Sequence, residues 1–545
     1  MVPSPPTGQS RRLRTALERR FGIDPRALVA FRVALGGVLL FDVFHRARHL
    51  TAFYTDDGVL PRDVSLEAYG LDGVYSIHAL SGEPWFQALL FAATALLAVA
   101  LIVGYRPRLA TTLAVVLVVS VHVRNLYVLN GGDRLFRELL FLAIFLPLGS
   151  RWATGARSTD ESESDETTRS AATNQSSDTH GAGSTDRRIA TPATAAVLLY
   201  IVALLANNAV HKLEGETWLG GDALAYALAQ DHMTIVLGNS LATRPILLEA
   251  GTYVWLGLLV GSPLLFVFAG RFRIGYVAVF LMTVVGMTVS VAVGLFPPLL
   301  AAAILLFLSP RGWDVLESAA GATSTRLSAR GRRLERHAKR GVTGARRRKT
   351  AFRAARPFPG TLAGDGTLER LHGPTERGRE TFGRIRTRVG PAVHACVLVG
   401  IVVSTLGTFG YAPVFEPVET VDPAEHQWEM FAPDPTPSYG WYVVTADLED
   451  GAEVDVIGAS EYRTEPPPDA AETVPDFRWR RYLVTLDRSD VRDERFAASV
   501  CERVDARHDA AVESVTVTYT HQPIELEGEN PESDTHAIVE KRTCS

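Results

Sequence analysis

One lysine stands in an otherwise apolar setting. Residues 207–218 read NNAVHKLEGETW, and Lys212 sits at the end of a long apolar segment. The chain has three other lysines, Lys339, Lys349 and Lys541, which lie in a basic loop and near the C-terminus. Everywhere else positive charge is carried by arginine, which keeps its proton in proteins, whereas a lysine in apolar surroundings can release it. A lysine of that kind is a usable general base, and an ionisable group inside a membrane marks a candidate functional site. The competing reading is that Lys212 snorkels to the interface and pairs with Glu214 or Glu216. A second polar group interrupts two apolar runs in HVRNLYVLNGGDRLFRELLF, residues 122–141. Asn125, Asn130, Arg134 and Arg137 from this hinge, with His211 and Trp218 beside the lysine, are the candidate cofactor-binding residues. Asp133 reads as the N-cap of the helix that follows, and Arg134 and Glu138 have ion-pair spacing. The same residues could equally be a helical hairpin with its own cap and ion pair. His122, His211 and His232 are open between functional and purely structural roles. No metal-ligand spacing stands out.

Long apolar runs must position these groups. In 545 residues they predict spans at 26–46, 84–104, 108–129, 134–147, 189–213, 247–270, 274–295, 297–308 and 391–411, or about nine transmembrane helices. The first contains Arg32, Asp42 and His45, so that helix is expected to face the bundle interior. Residues 1–25 are a basic segment without the pattern of a secretory signal. Residues 26–310 form the membrane domain, interrupted at 154–188 by a Ser/Thr/Asp/Glu-rich loop expected to be disordered. Residues 311–390 hold twenty Lys/Arg against seven Asp/Glu, and 391–411 form the last span. Residues 412–545 form an acidic soluble domain. There YGWYVVTADLEDGAEVDVIG and SVTVTYTHQPI read as strands, giving a β-rich α+β domain. WEMFAPDP, residues 428–435, reads as a packing plug between domain and membrane, or as a lid or partner surface. Cys501 and Cys544 could pair if this domain meets an oxidising compartment. The net charge of −5 averages over these opposite segments. A lysine-poor acidic surface suggests salt adaptation of the halophilic archaeal type.

The basic stretches at 11–26, 105–108, 271–273 and 311–388 belong in the cytoplasm under the positive-inside rule. Alternation then puts residues 55–83, 125–133, 214–244 and 295–297 outside, together with the C-terminal domain. Lys212, the 125–133 hinge and that domain would share one face of a cell membrane.

Four pieces resemble the horizontally transferred transmembrane (HTTM) family, which includes vitamin K-dependent gamma-glutamyl carboxylase. They are the first span followed by FYTDDGVLP, then RNLYVLNGGDRLFRELLF, HKLEGETW, and the GLFP break at 294–297. WEMFAPDP with GWYVV and DGAEVDV is similar to an extension common in prokaryotic members. The resemblance implies Lys212 as the base, in His211-Lys212-Leu213-Glu214 ahead of Trp218. It implies a reduced quinone such as menaquinone as co-substrate, whose oxygenation creates a base for glutamate carboxylation, a lyase and epoxidase chemistry. The carboxylase pattern has a histidine ten residues before the GLFP glycine, where this chain has Val284. A non-catalytic role in maturing or binding a secreted peptide or protein is the alternative. A transporter is a weaker third reading, since no inverted repeat is evident. The expected partners are the bilayer and such a peptide, with no nucleic acid.

Overall fold

The computed structural model describes most of residues 15–68, 76–150, 188–319, 431–456, 474–486, 490–506 and 510–544. All but the last residue of the predicted loop at 154–188, most of the basic stretch at 311–390 and the last span at 391–411 lie outside the described residues. The chain divides into two compact units, 1–309 with 398–545, and 310–397. Of the second, the helix Pro310–Ala319 is described.

The first unit is mostly helical, with a small antiparallel sheet near its C-terminus. Among the described residues, five helices are long and apolar enough to cross a bilayer. These are α1 (Pro25–Ala47), α2 (Pro84–Val103), α3 (Pro107–Arg124), α5 (Pro192–Leu213) and α7 (Gly270–Ser290). Three shorter helices accompany them: the amphipathic α4 (Gly131–Phe145) and the apolar α6 (Pro245–Val260) and α8 (Phe296–Leu305). Proline near the start recurs at α1, α2, α3, α5, α6 and α8, where its missing N–H costs nothing. At α1 the Asp24 carboxylate caps the Arg26 N–H at 2.8 Å, and 23 residues then rise about 34 Å, one hydrocarbon thickness. The bridge Ile23–Ile189 ties the entrances of α1 and α5, so these helices start side by side. Gly36 lets α1 approach α2 closely, since a Cβ there would stand 2.8 Å from Ile102 Cγ1 and 2.9 Å from the Ala98 carbonyl.

One capping expectation is corrected. The N-cap of α4 is Asn130, whose Oδ1 accepts from the N–H groups of Gly132 and Asp133. Asp133 is three residues inside and returns a bond through Oδ2 to the Asn130 N–H. Both residues can cap, and the reciprocal box satisfies more orphan donors than Asp133 alone would. It also leaves Asp133 Oδ1 free for other partners. Arg134 and Glu138 pair as their spacing predicts, at 3.3 Å.

The sheet has order β2-β1-β3-β4, all neighbours antiparallel: β1 (Ser438–Leu448), β2 (Glu453–Asp455), β3 (Val512–Pro523) and β4 (Asp534–Thr543). The β1–β2 hairpin turns at Asp450-Gly451, with Gly451 at φ +84°, as the DG signal predicts. Two helices join it, α9 (Phe477–Leu483) and α10 (Asp490–Asp505). The disulfide Cys501–Cys544 fastens α10 to the end of β4.

Candidate functional site

Lys212 arrives on α5, which begins with a capping box between Thr191 and Thr194 and runs 22 residues. His211 and Lys212 occupy its last turn, where cations suit the negative end of the helix dipole. The chain then reverses at Gly215, and the short helix Glu216–Gly220 swings Trp218 back across the lysine. The Lys212 ammonium lies 3.9 Å from the centre of the Trp218 ring. Lys212 is buried, only 2% exposed, so it does not snorkel to water.

The C-terminal domain completes this corner. The Phe431 carbonyl accepts from Lys212 Nζ at 2.9 Å and from Trp218 Nε1 at 2.7 Å. Phe431 holds a left-handed backbone at φ +57°, uncommon for a large side chain. Three residues on, Asp434 caps the helix start at 216, accepting from the Thr217 N–H at 2.8 Å and hydroxyl at 2.5 Å and from the Glu216 N–H at 3.2 Å. Burial works against the Asp434 carboxylate, yet these bonds, led by Thr217, hold its pKa below the ordinary value. Gly215 is required by the approach, since a Cβ there would fall 2.6 Å from Asp434 Oδ1.

Lys212 and Trp218 form one end of a cavity of about 330 Å³. Its walls come from α5 (Leu204, Leu205, Asn208), α6 (Gly251, Val254, Trp255), α7 (Thr283, Gly286, Met287, Ser290) and Phe296 of the GLFP break. Phe431 closes the Lys212 end. The lining is almost entirely apolar. Ser290 is buried on this wall, and its hydroxyl has no hydrogen-bond partner among the described residues.

The other candidate residues do not line this cavity. Asn125 is buried and donates to the Phe53 carbonyl at 3.2 Å. Asn130 is a cap, and Arg134 pairs with Glu138, which also accepts from the Tyr200 hydroxyl. Arg137 is half-buried on α4. His211 is partly exposed and lies 3.9 Å from Glu214.

A second polar centre was not anticipated from sequence. Arg46 bonds Asp42 at 2.8 Å, Asp133 at 2.6 Å and the Tyr54 hydroxyl at 2.8 Å. Its other contact is His122 Nε2 at 3.1 Å. Arg478 of α9 enters the same place, reaching Asp42 at 2.5 Å and Asp133 at 3.1 Å. All six side chains are buried. Asp42, His122 and Asp133 present atoms within 4.8 Å of one another, a spacing that a metal ion could bridge. Two guanidinium groups already neutralise the two carboxylates, so a cation would first have to displace an arginine. The centre is therefore an ion-pair junction between the membrane bundle and the C-terminal domain.

Local chemistry explains how α9 reaches it. Asp476 caps the helix through the N–H groups of Arg478 and Trp479, at 2.8 and 3.1 Å. Its second oxygen lies 2.8 Å from His49 Nε2 and 3.2 Å from His45 Nε2. Burial raises the Asp476 pKa, but the His49 hydrogen bond and the neighbouring histidines outweigh it and bring the value down to about 2. Arg480 of the same helix donates to the His232 carbonyl. Burial, and then the Arg480 charge, bring the His232 imidazole down to about 3.

No protein-family model matches the chain, and neither a curated protein nor a solved structure does.

Proposed function

We propose that this chain is a multi-pass membrane protein of the HTTM and gamma-carboxylase kind, with about nine spans. In this reading the cavity beside Lys212 takes a reduced quinone, menaquinone-like, from the bilayer. The observation that carries it is a single lysine amine buried in the wall of an apolar cavity within a membrane bundle. Sites for small lipophilic ligands are mostly apolar with a few placed polar groups, and this one offers Lys212 and the unpartnered Ser290 hydroxyl. A bound hydroquinone supplies a phenolic proton and two electrons held in its ring. Lys212 Nζ, when unprotonated, accepts that proton, a state that arginine cannot reach. Trp218 and the Phe431 carbonyl orient the amine, and the apolar walls exclude water. The reading stops short of glutamate carboxylation, because Val284, where that pattern has histidine, is a buried apolar position.

The N-terminus is assigned to the cytoplasm and the C-terminal domain to the outside of the cell membrane. The basic short connections support that orientation, and so does a disulfide in the C-terminal domain, which suits an oxidising compartment.

Protein purified by gentle extraction is expected to carry menaquinone detectable by mass spectrometry. Lys212→Arg should retain the quinone and lose quinol-dependent oxygen uptake by at least a hundredfold. Uptake that survives in Lys212→Arg would remove Lys212 from the role of base. A second reading, a non-catalytic factor that binds or matures a secreted peptide, is favoured by the bond of Lys212 to Phe431, which uses the amine as a fastening. In that case Lys212→Arg would leave the biological phenotype intact.

A further inference from the structure

The cavity beside Lys212 is bordered at one end by Phe431 of the C-terminal domain and along another side by α6 and α7. On the first side the Phe431 carbonyl is bonded to both Lys212 and Trp218, and Asp434 pins the loop to Thr217. On the second side the wall is the seam between α6 and α7. These helices meet near one end, where Trp255 contacts Phe280 and the Tyr276 hydroxyl donates to the Leu258 carbonyl at 3.2 Å. One to two turns farther along, the seam is lined by Gly251 and Val254 of α6 and by Thr283 and Gly286 of α7, and the cavity lies between them. Two of these four are glycines: a Cβ built on Gly286 meets nothing within 4 Å, whereas one on Gly251 would stand 2.7 Å from Leu224 Cδ2, so the open side of the seam is at α7.

The outer surfaces of the same helices are made for lipid. Met282 and Val285 on α7 are 75% and 56% exposed, and Val254, which lines the cavity, is itself 46% exposed. A residue that borders both the cavity and the outside marks an opening. Its surroundings are hydrocarbon-facing side chains and not polar ones.

We infer that the seam between α6 and α7 at Gly251, Val254, Thr283 and Gly286 is a lateral portal through which the hydrocarbon chain of a membrane-borne ligand leaves the cavity. The inference rests on the quinol reading and adds where the chain goes. Ligand pockets usually measure about 300–1,000 Å³, so this one is near the lower limit. It suits a compact ring system with its polar edge at Lys212, and it lacks room for a polyisoprenoid chain as well. A chain passing between α6 and α7 stays in hydrocarbon over its whole length, so no apolar surface has to enter water.

The deciding experiment compares two probes on the full chain in lipid nanodiscs. One is a reduced menaquinone with a four-isoprene chain, and the other is reduced 2-methyl-1,4-naphthoquinone, which has no chain. Binding is read by quenching of tryptophan fluorescence. The expected result is that wild-type protein binds both, and that Gly286→Leu weakens the chain-bearing probe at least tenfold more than it weakens the chainless probe. Unchanged binding of the chain-bearing probe in Gly286→Leu would overturn the portal and leave the quinol site standing. Wild-type protein that binds neither probe would overturn the quinol site and the portal with it. Should Gly286→Leu lose both probes, Val254→Trp on the facing wall decides: a loss confined to the chain-bearing probe supports the portal, and any other result overturns it.

Discussion

Arg478 makes a buried ionic contact that is costly to disturb. It shares Asp42 and Asp133 with Arg46, so two positive and two negative side chains are buried together. Removing one partner of a buried pair leaves an uncompensated charge, at a cost of about 3–5 kcal/mol. Arg478→Met is therefore expected to lower thermal stability by that amount, measured by a melting curve in detergent. Adding Asp42→Asn should recover part of the loss, because one orphaned carboxylate is then neutral; a purely additive double mutant would refute the coupling. Arg478 lies 436 residues from Asp42, and no local pattern in FRWRRYL distinguishes it from its neighbouring arginines. The partner on α1 was more accessible, since Asp42 and Arg46 have ion-pair spacing within one apolar helix. Lys212 was the easiest to find, being a rare residue type in an improbable place. The Phe431 carbonyl that holds it is a backbone atom, and backbone acceptors leave no trace in residue identity. His78 carries a separate pH signature. Burial, and then the charges of Arg46 and Arg124, lower its pKa to about 3 from 6.5. The unfolded chain takes up this proton first, so the contribution of neutral His78 is complete above about pH 6.5 and lost as pH falls toward 3. At pH 5 the loss is on the order of 2 kcal/mol, and His78→Gln should flatten the acid limb of a stability–pH curve by about that much.

At the level of elements, the helices were largely readable because the bilayer demands long apolar windows and proline marks their beginnings. The ends were less so. The run at 108–129 stops being helical at Arg124, where Asn125 turns away and bonds to Phe53. The run at 247–270 breaks into α6 and a short helix, Leu264–Val267, with Gly261 and Pro263 between them. Window-averaged hydropathy is blind to such breaks, since one Asn among apolar neighbours, or a Gly and a Pro, hardly changes the mean. In the C-terminal domain β1, β2 and β3 followed from alternation and the DG turn, β4 was not read from the sequence, and α9 depends on its Asp476 cap, on His45 of α1 and on His49 just beyond it. The disulfide is an element-level brace. It closes a separation of 43 residues, for which chain entropy predicts about 4 kcal/mol of stabilisation. Mild reduction, or Cys501→Ser, should make α10 and β4 protease-sensitive at a lower temperature while far-ultraviolet helicity from the spans is unchanged. Equal protease resistance with and without reductant would show that the brace is dispensable.

For the whole molecule, the membrane bundle and the described C-terminal domain fall within one compact unit. They are joined at Arg478, at the Lys212–Phe431–Trp218 corner and at Asp434 on Thr217. Sequence alone suggested that the two would share a membrane face, but not that each would complete the other's buried polar groups. The reason is physical: charge balance is a property of the assembled interior, and neither segment reports its deficit in its own composition. Asp133 and its partner on α9 are separated by 345 residues. At ribosomal speeds of about 5–20 residues per second, roughly 20–70 s pass between the synthesis of one and the arrival of the other. Throughout that interval the nascent bundle holds two acids against a single resident cation. A chain cut short before residue 478 would stay in that lopsided state, and membrane proteases that patrol for loosely packed spans would have a reason to remove it.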